Sequence, residues 1–357
     1  MRYLTPVSAD TAQMLAHMEV AMARAMQAQQ LTFDWDDPHS PDAFRVRLFD
    51  PAEVKGTLEL YDDKESRASI SFLKLLAKRS EWRQLAPPPD PALLKGLVEQ
   101  FPNFQHVVGF IEELNTLSRL RPRSPLVLPP ILLDGPPGVG KTAFSMALAS
   151  ILGTEHWHLP MAHSTASFDL GGLDAGYSGG GPGLLTRKIG LGQHADPVVL
   201  LDELDRASDK SNFDPLGPLF ELLEPRTARE FSDDGLKVQM DLSHVRWLST
   251  TNDAERLDPA LRSRFKLFHV QAPSPQQVRE IAARQYKALL SQHSWGVHFE
   301  PELSEPVLMA LSWHTPRDLN RALQSACARA AKAGRTALTV EDLDAPVIAK
   351  RRPIGFV

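Results

Sequence analysis

The sequence predicts an α/β fold in which helices cover both faces of a parallel sheet. From residue 131 onward, short apolar runs alternate with Gly-rich turns and helical segments, an order that is typical of parallel sheets. From about Ser274 the pattern becomes mostly helical, which predicts a C-terminal α-helical domain. The first 90 residues follow neither pattern, and we expect a small α+β domain there.

The composition is that of an ordinary globular protein and excludes several classes. The chain has 357 residues, enough for two or three domains, and its single cysteine, Cys327, cannot form an internal disulfide. The net charge of -5 argues against a chain held on nucleic acid by overall basicity, although a local basic patch remains possible. The N-terminus lacks a signal-peptide pattern, and no apolar run reaches the ~18 residues of a membrane span. We therefore expect a cytoplasmic protein without membrane contact.

Several short elements are predicted in the first 90 residues. Residues 8–30 are expected to form a helix, residues 45–49 and 57–61 short strands, and residues 64–84 a second helix. In the first helix a methionine recurs at every fourth position, which predicts a packed face or, alternatively, an adaptable surface for a partner. These methionines are Met14, Met18, Met22 and Met26.

Two proline-rich segments indicate boundaries. Three consecutive prolines within residues 86–91 have no N–H donors, so this segment is predicted to be a linker, and residues 121–130 form a second connector. Between them, residues 92–120 are predicted to form an amphipathic helix that is broken at Phe101 and Pro102.

A phosphate-binding motif follows the first strand of the predicted sheet. The apolar run 131–133 leads into the pattern G-x-x-x-x-G-K-T, and residues 142–152 are predicted to form the next helix. In this motif the glycines let backbone N–H groups surround phosphates, the lysine reaches the β and γ phosphates, and the threonine hydroxyl binds Mg²⁺. The motif predicts that ATP and Mg²⁺ are bound by Gly135, Pro136, Pro137, Gly138, Val139, Gly140, Lys141 and Thr142.

Polar residues follow two further apolar strands. The run 198–201 ends in Asp202 and Glu203, and we expect Asp202 to hold Mg²⁺ and Glu203 to orient and deprotonate the attacking water. The run 246–251 ends in Asn252, which is predicted to fix the same water or to sense the γ-phosphate. The sequence therefore predicts an ATP-hydrolysing site at the carboxyl edge of the sheet.

The order of these motifs resembles that of the AAA+ ATPases. The resemblance implies a P-loop AAA+ parallel sheet, a C-terminal helical lid and assembly into a ring, usually hexameric. In the family an arginine of one subunit completes the neighbour's ATP site; the segment 261–265 matches this region, with Arg264 as the expected residue and Arg262 as the alternative. Arg317 matches the second sensor, which contacts the γ-phosphate from the lid.

Within that family, three stretches resemble the ATPase module of the Lon proteases. Residues 176–183 resemble the Lon pore loop, which implies that Tyr177 and Ser178 grip a polypeptide, although Lon has an aliphatic residue at the position of Ser178. Residues 201–205 and 222–243 resemble two further Lon segments, the second of which includes a second pore loop. Lon continues into a protease domain, whereas this sequence ends at Val357, so the resemblance implies an ATPase module without that domain.

These observations predict three domains and leave three functions open. Residues 1–90 are expected to form an accessory or partner domain, 91–273 the nucleotide-binding core, and 274–357 the lid. The favoured function is an ATP-driven unfoldase or remodeller of proteins that acts with a separate partner. The alternatives are a DNA-acting motor or clamp-loader-like protein, and a nucleotide-gated assembly switch.

Overall fold

The computed structural model describes residues 44–61, 67–120, 124–163, 168–177, 179–207 and 215–344. The predicted helix over residues 8–30, its methionine stripe and Ser178 lie outside these ranges. The described strands are β1 (Arg45–Arg47), β2 (Trp82–Gln84), β3 (Ile131–Asp134), β4 (His156–Pro160), β5 (Val198–Asp202), β6 (Phe231–Ser232), β7 (Gln239–Met240), β8 (Arg246–Thr251) and β9 (Lys266–His269).

The helices alternate with these strands as the α/β pattern predicts. The described α-helices are α1 (Pro51–Leu60), α2 (Arg67–Leu76), α3 (Pro91–Gln100), α4 (Gln105–Arg119), α5 (Lys141–Leu152), α6 (Phe168–Gly171), α7 (Leu184–Leu191), α8 (Leu219–Leu222), α9 (Pro225–Ala228), α10 (Pro259–Arg262), α11 (Pro275–Gln292), α12 (Glu305–Leu311) and α13 (Pro316–Lys332). The predicted break at Phe101–Pro102 is confirmed, because a 3₁₀ turn over Pro102–Phe104 separates α3 from α4.

A five-stranded parallel sheet forms the centre of the fold, in the order β4-β5-β8-β3-β9. Strand β3 lies between β8 and β9, with Leu132 opposite Ser249 on one side and Leu267 on the other. Parallel strands end at the same edge, so the residues after β3, β5 and β8 meet there. The predicted fold class, a parallel α/β sheet with a helical C-terminal part, is confirmed.

Two compact units divide the chain. The sheet unit takes its described residues from 1–95, 106–134 and 141–269, and the helical unit takes its described residues from 96–105, 135–140 and 270–357. The domain boundaries predicted at residues 90 and 273 stay predictions.

The core of the sheet unit includes residues that precede the sheet in sequence. Leu48, Phe72 and Leu73 are buried in one cluster with strand residues such as Leu201 and Trp247. The antiparallel pair β1–β2, with Val46 opposite Arg83, completes this N-terminal part. Residues 44–85 are therefore packed as part of the sheet unit.

Two sequence predictions in this N-terminal part are wrong. Residues 57–61 were expected to form a strand, but residues 57–60 lie in α1, which begins after the N-cap Asp50 with Pro51 in its first turn. The helix expected over 64–84 ends at Leu76 in the structure, because residues 82–84 pair with β1. Pairing with a distant strand is a tertiary contact that local periodicity does not reveal.

The helical unit has its own core, formed mainly by α11 and α13. Helix α11 begins with a capping box, in which the Ser274 side chain accepts from the Gln277 N–H and the Gln277 side chain accepts from the Ser274 N–H. Tyr286, Leu323 and Cys327 are buried in this core.

Candidate nucleotide-binding site

The glycine-rich loop has a backbone that only glycine fits at several positions. Gly138 and Gly140 adopt φ values of +83° and +103°, which are unfavourable for residues with a side chain. A Cβ at Gly135 would lie 2.1 Å from the Val270 carbonyl oxygen, inside van der Waals contact. The Asn103 side chain donates hydrogen bonds to the backbone oxygens of Val139 (3.2 Å) and Gln271 (3.1 Å). These contacts lie within the helical unit and hold the loop in its turned conformation.

Arg317 lies close to this loop within the same unit. A Cβ on Gly138 would be 3.5 Å from the Thr315 hydroxyl oxygen and 3.9 Å from the Arg317 Cβ. Thr315 is the N-cap of α13 and accepts from the Asp318 N–H, so Arg317 is in the first turn of that helix. Arg317 is therefore next to the loop that the sequence predicts to bind phosphates.

Lys141 begins α5 in the sheet unit and contacts the end of β8. Its Nζ donates to the Asn252 Oδ1 at 3.3 Å, and the residue is only 9% exposed. Burial lowers the pKa of Lys141 below its ordinary value, and the nearby carboxylates of Asp134, Asp202, Asp205 and Glu203 offset this effect only in part. Its ammonium group has three N–H donors, a number that allows it to bind phosphate oxygens as well as Asn252.

Asp202, at the end of β5, is held by side chains from three other elements. The Thr250 hydroxyl donates to Oδ1, the Thr142 hydroxyl donates to Oδ2 at 3.4 Å, and the His158 Nε2 lies 2.9 Å from Oδ2. Burial by itself would raise the pKa of Asp202, but the hydrogen bonds from His158, Thr250 and Thr142 keep it below its ordinary value. Asp202 is thus an ionised carboxylate beside the Thr142 hydroxyl.

This pair of oxygen donors fits Mg²⁺. Mg²⁺ prefers oxygen ligands, usually takes only one or two from the protein, and completes its shell with water and phosphate. Thr142 and Asp202 supply one hydroxyl and one carboxylate from neighbouring elements, in agreement with that chemistry. Elsewhere in the residues described, no cluster of three or more His, Cys, Asp or Glu side chains is arranged for a metal.

Glu203 follows Asp202 in an unusual backbone conformation. Its φ of +56° lies in the left-handed region, which non-glycine residues seldom adopt. The Glu203 N–H donates to the Thr250 hydroxyl at 2.9 Å, and Arg206 donates to the Glu203 Oε2 at 3.0 Å. Such outliers occur often at functional sites, where the surrounding contacts hold them in place.

The structure therefore brings several predicted residues together in the sheet unit. Lys141 contacts Asn252, Thr142 contacts Asp202, and the Asn252 N–H donates to the Asp205 carboxylate at 3.4 Å. The roles of these residues stay predictions, because proximity does not identify a reaction.

The two arginines that could complete a neighbour's ATP site are at the end of α10, where Arg262 is its last residue and Arg264 follows two residues later. Arg262 forms an ion pair with Glu255 at 2.7 Å. The Arg264 guanidinium stacks over the Phe220 ring, 4.8 Å from its centroid, and donates to the Ala260 carbonyl. Within the described ranges, no hydrogen bond or ion pair joins either arginine to Asp202.

Tyr177 is in an exposed turn of the sheet unit, whose described residues 173–177 and 179–181 we call the tyrosine loop. The loop is closed at its base by two backbone hydrogen bonds between Leu173 and Gly181, of 2.9 and 2.8 Å. The Tyr177 side chain is 67% exposed, a high value for an aromatic residue. The ring is therefore available for contact with another molecule.

Several contact residues of the site were not predicted from the sequence. His158 and Thr250 bind Asp202, and Asp205 binds the Asn252 backbone. A partial signal existed for Thr250, because it lies two residues before Asn252 in the same strand. His158 gave no such signal, since its role depends on the pairing of β4 with β5.

Comparisons with known proteins agree with this geometry. Residues 131–272 match the family model of the AAA proteins, the ATPase family associated with various cellular activities. This stretch of the chain therefore resembles an ATPase module of the AAA family. Within that family, this module resembles that of the Lon proteases. The Lon protease of Flavobacterium johnsoniae is 32% identical over 168 residues, which are 47% of this chain and 21% of that protein.

A second relative and two solved structures are also similar to this chain. The peroxisomal Lon protease homolog 2 of Pichia angusta is 35% identical over 151 residues, or 42% of this chain and 16% of that protein. The chain thus spans about a fifth of the length of these relatives. The RuvB Holliday junction branch migration motor of Thermotoga maritima superposes with a TM-score of 0.42 at 17% identity, over 71% of this chain and 67% of that chain. A RuvB variant from the same organism gives a TM-score of 0.46 at 17% identity, over 67% of each chain.

The length and apolar character of a helix decide whether it can cross a membrane. Of the helices that the structure describes, none combines the length and the apolar character that a membrane crossing requires.

Proposed function

We propose that this protein hydrolyses ATP with Mg²⁺ and uses the energy to remodel or unfold protein substrates, together with a separate partner. The observation that carries the proposal is the convergence of Lys141, Thr142, Asp202 and Asn252 at the carboxyl edge of the sheet, with Glu203 beside them. Each of these residues has the chemistry that its position in a phosphoryl-transfer site requires.

In the proposed reaction, a water molecule attacks the γ-phosphorus of ATP. The new O–P bond forms as the bond to the β-phosphate oxygen breaks, and ADP and phosphate leave. Glu203 accepts the proton of the water, and Asn252 orients it. Lys141 and Arg317 bind the phosphate oxygens. Mg²⁺, held by Thr142, Asp202 and the phosphates, would supply positive charge that balances the developing negative charge.

The proposal includes a homo-oligomeric ring, with a hexamer as the expected size. In such a ring the neighbour's arginine completes each ATP site. Arg264 is the better candidate, because Glu255 neutralises Arg262 whereas Arg264 forms no ion pair among the residues described. Arg264 makes a cation–π contact with the Phe220 ring, and this contact leaves its positive charge available to a neighbouring subunit.

The tyrosine loop supports a protein substrate. An exposed aromatic ring offers a large contact area to a polypeptide without requiring a particular sequence. The resemblance of residues 176–183 to the Lon pore loop supports such a substrate.

Glu203→Gln tests the hydrolysis step. The amide keeps the shape of the side chain but cannot accept a proton, so we expect kcat for ATP to fall at least ~100-fold while nucleotide affinity is retained. ATP turnover and nucleotide binding are measured side by side, together with ATP-dependent assembly by sedimentation velocity. Glu230→Gln, an exposed site away from the cluster, is the matched control and should keep full turnover. Undiminished hydrolysis by Glu203→Gln would refute the assignment.

Tyr177→Ala tests the proposed contact with protein substrates. We expect ATP hydrolysis to stay within about twofold of wild type, while the rate of unfolding a tagged protein falls about tenfold or more, because a main contact surface is lost. Tyr177→Phe keeps the ring and is the control that should retain unfolding. Equal unfolding rates for Tyr177→Ala and wild type would exclude this role. Stimulation of the ATPase by DNA at low salt would favour a DNA motor instead.

A further inference from the structure

A buried carboxylate joins the tyrosine loop to a second loop in the sheet unit. This second loop, which we call the hairpin loop, comprises residues 233–238 between β6 and β7. Asp233 is only 1% exposed. Its Oδ2 accepts from the Gly183 N–H and its Oδ1 accepts from the Gly235 N–H, both at 2.8 Å. One side chain thus satisfies a backbone donor from each loop region.

The backbones around Asp233 approach each other too closely for any side chain. A Cβ at Gly172 would lie 2.0 Å from the Asp233 Oδ1, and a Cβ at Gly235 would lie 2.1 Å from the Gly181 carbonyl oxygen. The Asp234 N–H also donates to the Gly171 carbonyl at 2.9 Å. The base of the tyrosine loop and the hairpin loop are therefore in direct backbone contact.

A second link joins the two loops at their exposed ends. Lys237 forms an ion pair with Asp174 at 2.7 Å, and the other Asp174 oxygen accepts from the Gly176 N–H at 2.9 Å. Gly176 directly precedes Tyr177. The contact runs from Lys237 through Asp174 to the backbone that carries the exposed ring.

The N-terminal part of the sheet unit holds the hairpin loop from the other side. Ser69 donates to the Gly235 carbonyl at 2.6 Å, Tyr61 donates to the Leu236 carbonyl at 3.1 Å, and Glu53 accepts from the Gln239 N–H at 3.0 Å. These bonds fix the hairpin loop and leave it little freedom to move apart from the tyrosine loop.

We infer that Asp233 is a positioning residue that, together with the Lys237–Asp174 ion pair, holds the hairpin loop and the tyrosine loop in a fixed relative position, so that the two loops move Tyr177 as one unit. The functional role of this coupling rests on the proposed function, because Tyr177 can transmit force to a bound polypeptide only if its loop is stiff. The coupling of the loops is a structural property, and it is measurable without any substrate.

Asp233→Asn tests this inference with a nearly isosteric change. An amide keeps one acceptor and turns an NH₂ group toward the other backbone N–H, so one of the two loop anchors is lost. The readout is the rate at which chymotrypsin cuts after Tyr177 under native conditions, with amide hydrogen exchange measured for peptides that contain Gly183 and Gly235. We expect cleavage and exchange in both loops to rise about tenfold. Asp234→Asn, an exposed neighbour, is the matched control and should leave both rates unchanged.

Several results would overturn the inference. It fails if Asp233→Asn raises exchange in the hairpin loop alone, or if exchange rises equally throughout the sheet, which would indicate a general loss of stability. Should Asp233→Asn not fold, Lys237→Met removes only the exposed link, and unchanged cleavage after Tyr177 in that variant would overturn the inference as well. If the loops are coupled in these tests but the wild-type protein unfolds no substrate, the proposed function fails and the inference stands.

Discussion

At the scale of single residues, the environment of a carboxylate determines what it does. Asp202 is kept ionised by three hydrogen bonds, which suits a ligand of Mg²⁺. Burial raises the pKa of Asp233 to about 6, and two backbone donors compensate for its charge above that pH. The sequence alone does not distinguish these two aspartates, because the difference arises from neighbours that are distant in the chain.

A third aspartate, in the helical unit, illustrates the opposite shift. Arg335 binds both oxygens of Asp342 at 2.6 Å, and the Thr339 N–H donates to Oδ2 at 2.8 Å. The hydrogen bonds from Arg335, above all, lower the pKa of Asp342 to about 2. Because this pKa is lower in the folded state than in the unfolded state, the ionised form stabilises the fold above about pH 4, and that contribution is lost as the pH falls toward 2.

We predict that Asp342→Asn lowers the free energy of unfolding by roughly 1–2 kcal/mol at pH 7, since a charged hydrogen-bonding partner is lost. The difference from wild type should shrink as the pH is lowered from 4 toward 2. Urea unfolding of the full chain at several pH values measures it. Glu341→Gln changes an exposed neighbouring carboxylate and should have little effect. A deficit that does not depend on pH would contradict this account of Asp342.

At the scale of elements, local sequence signals predict some helix ends, whereas the short N-terminal elements depend on tertiary contacts. A strong end signal gave a correct result at the proline break between α3 and α4, and the helical pattern predicted from about Ser274 agrees with the start of α11. The short segments before residue 90 were harder to predict. Residues 57–61 alternate like a strand, yet α1 forms there after its N-cap, and residues 82–84 form a strand only because β1 lies beside them. Short elements are decided by contacts that a local pattern does not contain.

Helix α2 is a further element whose place only the fold reveals. Phe72 is buried against the sheet unit, and a Cβ at Gly190 of α7 would lie 2.8 Å from its ring. Arg83 adds another link, because its guanidinium donates to the carbonyl oxygens of Ile189 and Gly190 at the end of α7. A cation at that end of a helix compensates for unpaired carbonyl groups.

We predict that Phe72→Ala destabilises the sheet unit by roughly 3–5 kcal/mol, because it removes a large side chain from the shared core. The melting temperature of the full chain should fall. Nucleotide binding should be lost at this same, lower melting temperature. Leu75→Ala alters an exposed residue of the same helix and is the matched control. If instead residues 44–85 melted separately and the sheet unit kept its stability, the packing described for α2 would be contradicted.

At the scale of the whole molecule, the observed fold is the parallel α/β fold that the sequence predicts. The structure adds where the described residues before position 90 are packed. The net charge of -5 does not favour a polyanionic substrate, which agrees with the protein substrate that we propose. The described residues before position 90 were expected to belong to an accessory domain. In the structure they share the core of the sheet unit and contact the hairpin loop. They therefore belong to the contacts that hold the loop carrying Tyr177.

The sequence by itself determined the parallel α/β class, the phosphate-binding loop and the polar residues that end β5 and β8. These depend on local physics: glycine conformations, apolar runs and the common edge of parallel strands. Only the tertiary structure decided that His158 binds Asp202, that residues 82–84 pair with β1, and that Asp233 joins two loops. Each of these contacts joins segments far apart in the chain, and their energy comes from burial and hydrogen bonding that exist only once the chain has folded.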